Sequence, residues 1–183
     1  MRAPRRNPAT APAEARAPGT SASPVSTADV LVLGIGNLLL GDEGVGVHVA
    51  RRLEQAPLPP GVAVLDGGTG GLHLLSCLTE HPALVVVDAT IDGRPAGSVT
   101  RLRPRFASDY PRTLVAHDIG LKDLVDAAQV LGAQPRIELV TVSIADGCGM
   151  SLELSPPLAA ALPRAIQAVH AALDDLRAEA AIA

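Results

Sequence analysis

Five short runs of β-branched and aliphatic residues, interleaved with stretches of helical spacing, constrain this chain more than any other feature. The first, Val30-Leu31-Val32-Leu33, ends at Gly34 and carries no polar residue, the pattern of a strand covered on both faces. Gly36-Asn37 marks a turn, after which Val45, Val49 and Leu53 fall on one helical stripe with Arg51, Arg52 and Glu54 between them. The unit recurs. Val62 to Leu65 reads as a strand, Asp66 to Gly71 as a glycine-rich loop, and Leu72, Leu75 and Leu78 as a short helix. Leu84 to Val87 reads as a third strand stopping at Asp88, and Ser98 to Leu102 as a fourth. Leu121, Leu124, Val125 and Ala128 mark a helix, Ile137 to Val142 a fifth strand, and Leu158, Leu162, Ile166, Val169 and Leu173 a long last helix. Ser155 is placed to cap that helix, with Pro156 at its first position. The alternation predicts a three-layer α/β fold: a twisted, mainly parallel five-stranded sheet flanked by helices on both faces.

At roughly 100–200 residues per domain, the chain makes one domain, expected over residues 28–178. Residues 1–27 are rich in Ala, Pro, Ser and Thr and hold no Leu or Ile. Such a segment buries too little surface to offset its ordering entropy and is expected to be a disordered tail. Net charge is −4 and aromatic residues are 1% of the chain, which disfavours phosphate backbones and base-stacking platforms, hence nucleic acid. Cys77 and Cys148 form no metal or disulfide framework, consistent with idle thiols in a reducing compartment. No apolar run approaches the roughly 18–20 residues of a membrane helix. The basic N-terminus lacks the apolar core of a secretion signal, so a cytoplasmic location away from membranes is expected.

In open α/β sheets ligands bind beyond the carboxyl ends of the strands. Asp42 and Glu43 follow the first strand, Asp66 ends the second, Asp88 ends the third, and His117 precedes the helix that starts near Ile119. Two carboxylates and an imidazole with open positions suit a borderline dication such as nickel or zinc. Each residue also has a plainer reading. An Asp after a strand is often a turn residue, and Glu43 at a helix start complements the helix dipole. Gly34-Ile35-Gly36 begins like a dinucleotide fingerprint, but Leu39 stands where its third glycine belongs. His48 and His73 are further imidazoles near the same loops.

The stretch Leu31-Val-Leu-Gly-Ile-Gly-Asn-Leu-Leu-Leu-Gly-Asp-Glu-Gly-Val-Gly46 resembles the N-terminal signature of the hydrogenase maturation endopeptidases. Leu65-Asp-Gly-Gly-Thr-Gly-Gly71, Val85-Val-Val-Asp-Ala89 and His117-Asp-Ile-Gly-Leu-Lys-Asp-Leu124 match further blocks in order, and Leu154-Ser155-Pro156 is also similar. The resemblance runs from about Val30 to Leu176 and implies a specific activity. Members cut the precursor of a nickel–iron hydrogenase large subunit once, near its C-terminus, after nickel insertion. The metal-binding trio it implies is Glu43, Asp88 and His117, with the nickel carried by the substrate.

The chain offers no G-x-S-x-G nucleophile, so attack by an activated water is expected. The nickel-bound trio would dock and orient the scissile peptide. Asp42 or Asp66 would act as general base, and the loop Gly67-Gly68-Thr69 would present backbone N–H groups to the substrate. A rival mechanism pairs Asp42 or Glu43 with Asp66 or Asp88 as a metal-free acid couple. Two other functions compete: a nickel-centre chaperone that holds without cutting, and a nucleotide-binding α/β enzyme. Arg103, Arg105 and Arg112, in the stretch after the fourth strand, hint at an acidic patch on a partner.

Overall fold

The computed structural model describes residues 29–104, 109, 111, 114, 121–147 and 149–182. The segment 1–27, Arg105, Arg112, His117 and Cys148 lie outside the described residues. The elements run β1 (Val30–Gly34), α1 (Val45–Glu54), β2 (Val62–Asp66), α2 (Leu75–Glu80), β3 (Ala83–Thr90), β4 (Val99–Leu102), α3 (Leu121–Val130), β5 (Arg136–Ser143) and α4 (Pro156–Ala180). Short 3-10 turns at Gly41–Gly44 and Leu72–Leu74 lead into α1 and α2.

The five strands form one sheet in the order β2-β1-β3-β5-β4. Four run parallel, and β4 pairs antiparallel with β5 at the edge. The expected three-layer architecture is what the chain adopts. Side-chain alternation along the strands explains the layers. Val30 and Val32 of β1 and Val85 and Val87 of β3 pack with α1 and α4 on one face. Leu31 and Leu33, with Leu84 and Val86, pack against Leu74, Leu78, Leu121 and Leu124 on the other, below α2 and α3. Every residue of β3 is buried, which is why it reads as an unbroken apolar run up to Asp88.

One close approach decides where the loop after β1 sits. A side chain at Gly46 would place its Cβ 2.2 Å from the Ile35 carbonyl oxygen and 2.3 Å from that of Val87. Only glycine lets the first turn of α1 lie directly on the ends of β1 and β3. No described helix is long and apolar enough to cross a membrane.

Candidate active site

The contact at Gly46 holds the Gly41–Gly44 turn over the carboxyl edge of the sheet. Asp88, the sixth residue of β3, lies at that edge and is 3% exposed. By the alternation of β3 it continues the row of Leu84 and Val86, on the face covered by α2 and α3. Oδ1 of Asp88 accepts the N–H of Ala89 at 2.7 Å. Burial pushes the Asp88 carboxyl well above the usual carboxylate range; the Ala89 N–H opposes the shift, and the negative charge of Glu43 adds to it. The turn therefore brings Glu43 within electrostatic reach of Asp88. Among the described residues neither acid has a cationic partner.

The other two acids are engaged. Asp42 is buried, and its carboxylate takes both donors of Ser155: the backbone N–H on Oδ1 at 2.7 Å and the hydroxyl on Oδ2 at 2.7 Å. Ser155 precedes α4, so Asp42 supplies from 113 residues away the carboxylate that complements this helix N-terminus. Asp42, one of the two general bases expected from the sequence, is thus buried with both oxygens accepting hydrogen bonds. Replacing Asp42 with Ala should destabilise the fold by about 1–2 kcal/mol, the range of a lost helix cap. Thermal denaturation of the variant measures this, and an unchanged melting temperature would contradict the anchoring part.

Asp66 ends β2 and keeps 29% of its side chain exposed. Its Oδ2 accepts Arg51 Nε and lies 3.0 Å from the same guanidinium's Nη2, while Oδ1 accepts the N–H of Gly68 at 3.0 Å. The carboxylate is held in one orientation at the rim of the edge. Sequence reading placed Arg51 only on the polar side of a helix; that it meets Asp66 follows from α1 crossing β2, which no local pattern encodes.

The loop Gly67-Gly68-Thr69 differs from expectation. The Gly67 N–H donates to the Gly34 carbonyl at 2.9 Å, and the Gly68 N–H goes to Asp66. The Gly68 carbonyl in turn accepts the Gly36 N–H at 2.8 Å. Two of the three N–H groups assigned to a substrate are therefore taken within the fold, that of Gly67 by the end of β1 and that of Gly68 by Asp66. Thr69 is exposed.

His73 is exposed in the Leu72–Leu74 turn. His48 of α1 has its Nε2 buried without a hydrogen-bond partner among the described residues. Burial, then the nearby Arg51 charge, lowers its pKa and favours the neutral ring. Cys77 is a buried free thiol in α2. Arg103, expected to face a partner, is instead bound to Glu138 and Glu179.

The fold and this edge define a class: an open α/β protein that carries, at the carboxyl ends of its strands where such folds place their working groups, a buried acid within electrostatic reach of a second one. Known proteins narrow it. Residues 47–172 match the family described as hydrogenase maturation protease. Hydrogenase 2 maturation protease of Escherichia coli K12 is 33% identical over 154 residues, covering 82% of this chain and 94% of that protein. The hydrogenase expression/formation protein HupD of Rhodobacter capsulatus is 43% identical over 111 residues, 58% of this chain and 52% of HupD. The solved structure of the hydrogenase maturating endopeptidase HybD from E. coli superposes with a TM-score of 0.72 at 34% identity, covering 80% of this chain and 92% of that one. This chain belongs to the hydrogenase maturation protease family, and the chemistry of that family is peptide hydrolysis.

Proposed function

We propose that the protein removes the C-terminal extension from the precursor of a nickel–iron hydrogenase large subunit, once nickel has been inserted, in the cytoplasm. The observation that carries the reading is the buried Asp88 beside Glu43, with no cation among the described residues to balance them. Such a pair is costly until a dication arrives, and nickel in the substrate would meet that need. His117, four residues before α3 begins at Leu121, completes the donor set on this reading. It precedes a helix on the face toward which the alternation of β3 directs Asp88. Two carboxylates and an imidazole are ligands that nickel accepts. The metal would supply Lewis acidity near the scissile carbonyl.

The chain's own residues then have separate tasks. Glu43, Asp88 and His117 position the substrate's metal centre and so the peptide beside it. Asp66, oriented by Arg51 and Gly68 on its two oxygens, keeps 29% of its side chain exposed where Asp42 is buried, and it acts as base on a water reaching it there. Hydroxide adds to the carbonyl carbon, the C–N bond breaks, and the proton passes to the leaving nitrogen. Asp42 anchors the turn that carries Glu43. Gly67, Gly68 and Thr69 form one wall, with Thr69 supplying the exposed polar contact.

Mass spectrometry of a large-subunit precursor incubated with this protein, with and without nickel, tests the proposal. Loss of a single C-terminal fragment only from the nickel-loaded precursor is expected. Cleavage regardless of nickel would favour the metal-free acid couple, and a stable complex without cleavage would favour a chaperone.

A further inference from the structure

Nine large apolar side chains are exposed among the described residues, and six of them lie at or beyond the carboxyl ends of strands, around the candidate site. Three of the six share one surface. Leu40 and Ser151 form a parallel bridge, with the Gly41 N–H donating to the Ser151 carbonyl at 2.8 Å and the Ser151 N–H to the Leu39 carbonyl at 3.1 Å. Leu39 precedes the bridge on one segment, and Met150 and Leu152 flank Ser151 on the other, so the bridge brings the three into one small area. Their exposures are 59% for Leu39, 85% for Met150 and 67% for Leu152.

The surface is pre-formed. The Ser151 hydroxyl donates to the Glu153 carbonyl at 2.9 Å and accepts the Glu153 N–H at 3.0 Å, fixing the turn after the bridge. The Asp42–Ser155 bonds fasten both strands of the bridge at their far end. Three large apolar side chains held rigidly in water reduce stability and solubility unless something covers them, and such patches mark interaction sites. The patch is tied to the candidate site by the chain itself, since Leu39 lies four residues before Glu43 in the loop after β1. A protease presents that edge to a protein.

The geometry points to Leu39, Met150 and Leu152 as a docking surface for apolar side chains of the protein substrate, next to the bond that is cut. This rests on the function proposed above. The patch supplies affinity and orientation for the polypeptide, separately from the acids that engage its metal. Met150 adds an adaptable, polarisable contact, and because the patch is already rigid, little ordering is needed on this side of the interface.

The test compares three proteins on the same nickel-loaded large-subunit precursor: wild type, the triple variant Leu39→Ser/Met150→Ser/Leu152→Ser, and a control, Val130→Ser/Leu131→Ser. The control removes two equally exposed apolar residues at the end of α3, away from the cleft edge. The triple variant is expected to lose kcat/KM by roughly tenfold or more, the scale of removing an interface anchor. Its KM should rise, its far-UV circular dichroism should be unchanged, and the control should cleave like wild type. Equal kcat/KM for wild type and triple variant overturns the docking surface alone. Absence of cleavage by wild type overturns the proposed function and this inference with it. A wild-type dimer that the triple substitution dissociates would make the patch a self-interface and overturn the inference as well.

Discussion

Asp88→Asn removes cleavage and raises the melting temperature. The carboxyl is 3% exposed, accepts one backbone N–H, and faces the charge of Glu43 without a cation among the described residues. Its folded pKa lies well above the ordinary 3.8, so the native state holds this proton more tightly than the unfolded chain. Stability contributed by the protonated form is fully present below the ordinary carboxylate range. It is lost as pH rises from that range toward the folded pKa, because the unfolded chain ionises first. At neutral pH the wild type carries the resulting penalty. Asn keeps the shape and the acceptor for the Ala89 N–H but has no charge to bury. A gain of about 1–2 kcal/mol is the usual scale for relieving a strained functional site, or roughly 2–8 °C in melting temperature for a chain of this size. The neutral amide cannot replace a carboxylate toward a metal, so turnover should fall by at least ~10³-fold. Calorimetry from pH 4 to pH 8 should show the variant's advantage growing with pH. An unchanged melting temperature with wild-type cleavage would remove Asp88 from the site.

Glu138→Ala carries the second large effect, on the fold. Glu138 is 1% exposed on β5 and lies between two guanidiniums: Arg101 Nε at 2.8 Å on one oxygen and Arg103 on the other. Arg101 also binds Asp175 and Arg103 binds Glu179, so the cluster fastens edge strand β4 and β5 to α4. Arg136 adds a bond to the Leu176 carbonyl at 3.3 Å and a longer approach to Glu179 at 3.6 Å. Removing one member of a buried ion pair typically costs about 3–5 kcal/mol. Both arginines are partly exposed and keep a second partner, which lowers the expected loss to about 2–4 kcal/mol. That corresponds to a drop on the order of 10 °C. Glu138→Leu should cost less than Glu138→Ala, since it refills the volume. Loss of under about 0.5 kcal/mol in the alanine variant, the range of ordinary surface changes, would show that the cluster stabilises nothing.

What the sequence disclosed follows from how far each interaction reaches along the chain. β1 and β3 were legible because both faces of each are covered, leaving apolar runs that end abruptly at Gly34 and Asp88. α1 and α4 were legible from their apolar stripes, and the placing of Asp88 at a strand end followed from the α/β alternation. Ser155 was read correctly as the residue preceding α4, but its bond to Asp42 spans 113 residues and no local pattern encodes it. The Arg51–Asp66 pair, the Glu138 cluster and the use of the Gly67 and Gly68 N–H groups within the fold were hidden for the same reason. Glu138 did leave one signal, an acid between Ile137 and Leu139 in a strand whose neighbours are mostly apolar, and a charge buried in such a strand requires a partner. The antiparallel edge strand β4 was not distinguishable from its parallel neighbours, since its four residues carry no directional pattern.

On the proposed function, Glu43, Asp88 and His117 engage nickel held in the substrate. Nickel K-edge absorption of the nickel-loaded precursor, alone and with this protein at early times, reads that engagement at the metal itself. Added oxygen and nitrogen ligands are expected on mixing with wild type, and a spectrum like that of the free precursor on mixing with Asp88→Asn. Cleavage of the precursor while the nickel environment stays that of the free precursor would contradict it.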